Sequence, residues 1–155
     1  MKKYYAVFDT NVLVSSLLSK RKDSPTVLLL DYVLDGKIVL LYNDEILNEY
    51  EDVLRRAKFD FSDERIMAVM ELVTTGLSLG RTPSKDDFLD FDDIVFYEVA
   101  LSKEGAYLVT GNQRHFPKSP IVVTPAEMLQ IILADAEKDY NRSTLFLKKY
   151  FSPWS

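Results

Sequence analysis

The chain has 155 residues, 47% of them hydrophobic and 28% charged, with a net charge of −5. This length favours one domain that buries roughly 68–70% of its unfolded surface, so its core needs no staples. The absence of cysteine excludes disulfides and thiolate metal sites, and the single histidine excludes a multi-histidine metal site within one chain. The acidic balance argues against a broad nucleic-acid-binding surface.

The first element is a short apolar strand, Tyr5 to Phe8, which runs into Asp9, Thr10 and Asn11 and then a new apolar run of helical character. A carboxylate at the carboxyl end of a buried strand lies where open α/β sheets bind ligands. Asn11 is expected to cap the following helix and leave Asp9 free. Ser24 followed by Pro25 opens a second helix, which continues through Leu34 and closes at Gly36. Ile38 to Tyr42 reads as the next buried strand. Asn43 caps a helix over 44–56, with acids in its first turn. Ser62 opens another helix that closes at Gly76, and a short ambiguous piece lies near Leu77 to Leu79.

The stretch Arg81 to Phe91 is polar and acidic and reads as a loop, followed by a helix from about Asp93. Ala106 to Val109 and Ile121 to Val123 complete the strands. None of the four alternates in polarity, the pattern of parallel strands covered on both faces. Thr124-Pro125-Ala126-Glu127 is a capping box, and its helix is expected to reach about Glu137. The last residues, Tyr140 to Ser155, mix aromatics with Lys148 and Lys149 and read as an arm or a final helix. The alternation predicts a three-layer α/β/α sandwich with a mostly parallel sheet. The domain is expected over 1–137, with 138–155 as its tail or arm. No signal-peptide segment and no 18-residue apolar run exist, so a cytoplasmic protein is expected.

Three carboxylates stand out. Asp9 follows the first strand. Glu49 falls three residues after Ile46 and four before Val53, on the apolar stripe of its helix, where an acid is costly unless it is paired or binds a metal. Glu45, one turn earlier, competes with it, and pairing with Arg55 or Arg56 is the structural alternative. Asp93 shares the inward face of Phe96, Tyr97, Ala100 and Leu101, with Asp90 and Asp92 as candidate caps. A fourth element, Thr110-Gly111-Asn112, again sits at a strand's carboxyl end. Its glycine lets the backbone approach closely, and Thr or Asn can hold a water or a phosphate. Arg114 and His115 follow, either as a solvated loop pair or as phosphate contacts. Hard carboxylate oxygens without thiol or histidine clusters select Mg²⁺ or Mn²⁺.

The ordered set of segments 7–13, 45–54, 90–100 and 107–117 resembles the PIN domain family of nucleases, in the branch assigned as toxin components of toxin–antitoxin systems. The resemblance covers most of residues 4–135. It implies a metal-dependent ribonuclease acting on single-stranded or structured RNA, with acid roles at Asp9, Glu49 and Asp93. It implies in-line attack by an activated water that leaves a 5′-phosphate and a 3′-hydroxyl. Thr10, Asn11, Thr110, Asn112 and Arg114 would position substrate or water. Asn112 stands where the family commonly has a metal-site aspartate. This thins the acidic set, leaves one metal or two open, and makes Asp90 a candidate contributor. The family forms homodimers and binds an antitoxin protein.

Two other classes compete. A phosphotransferase using Asp9 as nucleophile would want a second aspartate two residues on, where Asn11 stands. A catalytically weak or inactive RNA binding module would draw on Asn112 and the negative charge. The aromatic-basic tail (Tyr140, Phe146, Lys148, Lys149, Tyr150, Phe151, Trp154) reads as an anchor for a second protomer or a partner helix. RNA and DNA are not separated by any feature of the sequence.

Overall fold

The strand β1 (Tyr4–Phe8) occupies the middle of the sheet, and its nearly continuous apolar side chains are covered on both faces. It pairs in parallel with β2 (Ile38–Tyr42) on one side and β4 (Tyr107–Val109) on the other. The short strands β3 (Leu77–Ser78) and β5 (Val122–Val123) complete the order β3-β2-β1-β4-β5, and every pairing is parallel. The computed structural model describes residues 2–86 and 91–151. Asp90 and Trp154 lie outside the described residues.

Six α-helices connect and flank these strands among the described residues: α1 (Thr10–Leu18), α2 (Pro25–Leu34), α3 (Asp44–Leu54), α4 (Asp63–Thr74), α5 (Ile94–Leu101) and α6 (Pro125–Tyr150). Helix α2 packs against α6, while α3 packs against α4 and α5, giving a three-layer α/β architecture. Central strand residues such as Ala6, Val7, Leu40, Leu41 and Leu108 are fully enclosed, as parallel strands between helical layers must be.

The helix starts follow local chemistry. The Asn43 Oδ1 accepts from the Ile46 amide at 2.9 Å, and Ser62 Oγ accepts from the Arg65 amide at 3.2 Å. At α6 the box is reciprocal: Thr124 Oγ1 accepts from the Glu127 amide at 3.1 Å, and Glu127 Oε1 accepts from the Thr124 amide at 2.9 Å. Gly36 closes α2 with φ of +76°, where a side chain would be strained.

Three expectations change. The piece near Leu77 is a two-residue edge strand, stitched onward by the Leu79 amide donating to the Tyr42 carbonyl at 2.8 Å. Asn11 does not cap α1. The helix begins two residues earlier, with Asp9 at the cap position by backbone, and Asn11 falls in the first turn. Helix α6 does not stop near Glu137 but runs unbroken to Tyr150. No glycine or proline interrupts the sequence between Pro125 and Pro153, so nothing ends the helix. Its first half is fixed to the body: Asp135 Oδ2 accepts from Tyr4 Oη at 2.8 Å and from Lys2 Nζ at 2.9 Å. From Ala136 to Phe151 every residue is exposed.

The connection leaving β1 goes to β2 on one side, while β4 is added on the other. The chain therefore reverses direction across the sheet between β1 and β4. At such a switch point the carboxyl ends of the strands open a crevice.

Candidate active site

Asp9 and Thr110 are the residues immediately after the two strands that flank this crevice. Their sequence separation is 101, yet Thr110 Oγ1 donates to Asp9 Oδ2 at 2.7 Å. Strand register brings them together: Phe8 pairs with Val109, and the Asp9 amide donates to the Val109 carbonyl at 2.9 Å. The Asp9 side chain makes no capping bond to α1, so it stays available to the crevice. Both residues are buried.

Helix α3 delivers Glu49. Its apolar stripe, Ile46, Tyr50, Val53 and Leu54, is buried, and the Tyr50 hydroxyl donates a short hydrogen bond to the Phe8 carbonyl. That bond ties α3 to the last residue of β1. Glu49 Oε2 then accepts from Thr10 Oγ1 at 2.9 Å. Asp93 arrives at the head of α5, in a 3₁₀ turn over Phe91–Asp93, with its Oδ2 3.2 Å from His115 Nδ1. The three acids line one cleft of about 180 Å³, with Thr10, Asn11 and Arg56 also on its walls.

Burial pushes the Asp9 carboxyl above its ordinary value, although the hydroxyl of Thr110 and the amide of Thr10 pull the other way. Burial likewise raises Glu49. Thr10 and the Arg56 guanidinium offset part of this, and the nearby charges of Asp52 and Asp9 add to it. The cleft therefore holds carboxylates whose charge the protein itself does not fully balance. Among the described residues no three metal-ligating side chains close into a cage. The acids stand instead around an open cleft. All-oxygen donors in an open arrangement fit a hard, strongly hydrated dication such as Mg²⁺, which keeps several of its waters and takes only one or two carboxylates.

Other sequence candidates lie apart. Glu45 is occupied by Arg81, whose Nη1 donates to its Oε2 at 2.9 Å. Arg55 pairs with Glu51 and Asp63, and Arg56 with Asp52, so neither forms the ion pair that would have explained Glu49 structurally. Asn112 and Arg114 do not line the carboxylate cleft. They form the wall of a neighbouring hollow with His115. The Asn112 amide does donate to Thr110 Oγ1 at 3.0 Å, which aims that hydroxyl at Asp9.

Three placements were not read from the sequence. Arg56, named there only as an alternative partner for Glu49, was legible on the cleft wall, since it continues the face of Glu49 and Val53 at helical spacing. The contact of His115 with Asp93 depends on the turn after β4 folding back, which no local pattern reports. Glu98 is a buried acid inside the apolar run of α5. Its Oε1 accepts from Arg81 Nε at 2.8 Å, and its Oε2 from the Ser84 amide at 2.7 Å. Burial alone would raise the Glu98 carboxyl; the Ser84 amide and Arg81 together outweigh it and hold the group below its ordinary range. Because Arg81 also grips Glu45, it ties α3 to α5. Replacing it, Arg81→Met, leaves Glu98 with an uncompensated charge and is expected to cost about 2 kcal/mol. The denaturant midpoint reads this directly, and an unchanged midpoint would mean that water replaces the guanidinium at no cost.

A doubly flanked parallel sheet that gathers acids at its switch point sets them where open α/β folds bind their ligands. The chain belongs to the PIN domain family, whose model matches residues 5–114. No curated protein matches it in sequence. PIN domains are generally nucleases that bind nucleic acid, act as hydrolases and typically use divalent metals. The matched span runs from β1 into the 3₁₀ turn after β4 and so contains all three acids.

Proposed function

We propose that the protein is a metal-dependent endoribonuclease, the toxin of a toxin–antitoxin pair. The observation that carries the catalytic part is the meeting of Asp9, Glu49 and Asp93, from three separate segments, on one cleft at the switch point. These three residues are the proposed catalytic set and would hold Mg²⁺ or Mn²⁺, with Asp90 as a further candidate. The bound ion would polarise a phosphoryl oxygen, activate water and stabilise the leaving oxygen. Thr10 and Thr110 hold Glu49 and Asp9 by hydrogen bonds and so fix where their oxygens point. Asn11 sits at the rim, and Arg56 supplies a positive charge against a phosphate. Asn112 and Arg114 act beyond the cleft, along the substrate rather than at the reacting phosphorus.

The toxin role rests on the family resemblance of the motifs. So do a cognate antitoxin, a homodimer and a cytoplasmic setting. The exposed apolar residues Leu145, Phe146 and Tyr150 on the free end of α6 are in keeping with a protein partner. No described helix is long and apolar enough to cross a membrane. A catalytically weak RNA binding module is the second reading, and Asn112 in place of a family aspartate favours it.

Labelled single-stranded RNA incubated with Mn²⁺, Mg²⁺ or EDTA, beside an Asp93→Asn protein purified identically, tests the reading. Metal-dependent cleavage that the variant loses is the expected result. Equal cleavage by both proteins would point to a contaminant or a misassigned acid. The metal is also expected to raise the melting temperature, since an ion at one hundred times its Kd stabilises the folded state by about 2.7 kcal/mol. A flat melting curve across millimolar metal counts against an occupied acidic cleft.

A further inference from the structure

The turn after β4 stands beside the carboxylate cleft, which it touches at Asp93. His115, which touches Asp93, also walls a hollow of about 440 Å³ together with Asn112 and Arg114. Gln113 and Arg114 are shared between that hollow and a third of about 700 Å³, walled by Phe116, Pro117 and Val122 and edged by Lys118. The cleft meets the second hollow through the contact of Asp93 with His115, and the second and third have Gln113 and Arg114 as common walls.

The floor of this path is held in place. Gln113 Nε2 donates to the Val122 carbonyl at 3.2 Å and to Glu127 Oε1 at 3.0 Å, which ties the turn to β5 and to the capping box of α6. The His115 amide donates to the Asn112 carbonyl at 3.0 Å and the Phe116 amide to the Gln113 carbonyl at 3.1 Å. A pre-formed hollow of several hundred Å³, apolar on one wall and cationic at its edge, is of the size and chemistry that takes a planar aromatic ligand carrying negative charge.

We propose that the segment 113–119 forms a nucleotide subsite of a single-stranded nucleic acid. An unpaired base enters the hollow beside Phe116 and Pro117, and Arg114 and Lys118 meet the flanking phosphates. The proposal rests on the nuclease reading for the nature of the ligand and deepens it to the strand's form. A base already paired in a duplex has no free face to enter a concave site, so the arrangement selects single strands. It also answers the acidic net charge: phosphates are met by two placed cations rather than by a broad basic surface.

Fluorescence anisotropy with a short labelled single-stranded RNA tests this, in EDTA and again in Ca²⁺. The competitors are the same strand made abasic and the same strand annealed to its complement. The intact single strand is expected to bind roughly tenfold or more tighter than the abasic one, the scale of one stacked base. Ser119→Trp fills the hollow and should abolish that preference while leaving the melting temperature unchanged. Arg114→Ala and Lys118→Ala should weaken intact and abasic strands alike and reduce the salt slope by about one each, whereas the exposed Lys22→Ala should not. Equal binding of intact and abasic strands, duplex binding as tight as the single strand, or a preference that survives Ser119→Trp overturns the subsite. The absence of binding in both EDTA and Ca²⁺ overturns it too. Should the preference hold while no metal-dependent cleavage is found, the nuclease reading fails and the subsite stands. Cleavage without the preference leaves the nuclease and removes the subsite.

Discussion

Asp9→Asn is expected to abolish cleavage and, without metal, to make the protein more stable. The loss of cleavage should be at least about a hundredfold, the scale on which removing one charge-stabilising group at a reacting centre acts. The gain in stability has a separate cause. Burial holds the Asp9 carboxyl above its ordinary value, which means that its charged form costs the folded state more than the unfolded one. Folding therefore favours the proton on Asp9, and stability falls as pH rises from the ordinary carboxylate range through the raised value. An amide has no charge to bury, and its oxygen still accepts from Thr110 Oγ1. The variant's melting temperature in EDTA should exceed the parent's at neutral pH. The gap should close on acidification, because the parent then carries the proton. A variant that melts lower at neutral pH would show that the carboxylate is stabilised by its Thr110 and Thr10 donors more than it is penalised. Function set against stability is the common condition of sites that concentrate charge.

Gly76→Ala is expected to be the most damaging single methyl group added to the chain. A Cβ at this position would lie 1.9 Å from the Leu40 carbonyl oxygen and 2.8 Å from its carbon, both backbone atoms of β2. Gly76 does not have a left-handed φ, so the requirement is space and not conformation. No side-chain rotation relieves a clash with a strand's backbone, and the connection between α4 and β3 must move away from β2. A cost of about 3 kcal/mol follows, the upper end for overpacking. Denaturant unfolding measures it. A change below about 1 kcal/mol, an ordinary value for a point substitution, would mean that the edge strand β3 is displaced freely. Gly36 gives the contrast: nothing crowds it, and it is needed for its positive φ alone.

Much of this architecture was written locally. Continuous apolar runs marked β1, β2, β4 and β5 as strands covered on both sides, and Ser24, Asn43, Ser62 and Thr124 announced their helices through the amides they accept. The proposed acids were legible for two different reasons. Asp9 follows a strand, and Glu49 and Asp93 lie on inward helical faces, where a carboxylate must have a use. What escaped was what only the assembled sheet supplies. Two residues of β3 carry no periodicity. Arg81, His115 and Glu98 are ordinary in sequence and acquire partners through contacts 14 to 36 residues away. The length of α6 escaped because periodicity reports burial, and the helix continues past the point where anything covers it. Asn11 misled for a simpler reason: Asp9 and Asn11, two residues apart, are both good cap types, and the backbone took the first.

The bond between Thr110 and Asp9 has a consequence in time. The central strand is made first, but the partner that orients its carboxylate is made a hundred residues later, and β4 must add to the sheet before the two meet. Glu49 and Asp93 are spaced between them along the chain. A polypeptide still emerging during synthesis carries every acid up to Asp93 and yet lacks the hydroxyl that orients Asp9, because the long-range parallel pairing of β1 with β4 waits for a strand not yet made. On the proposed function, a growing chain has no oriented Asp9 to turn on the message that encodes it until nearly three quarters of it has been made.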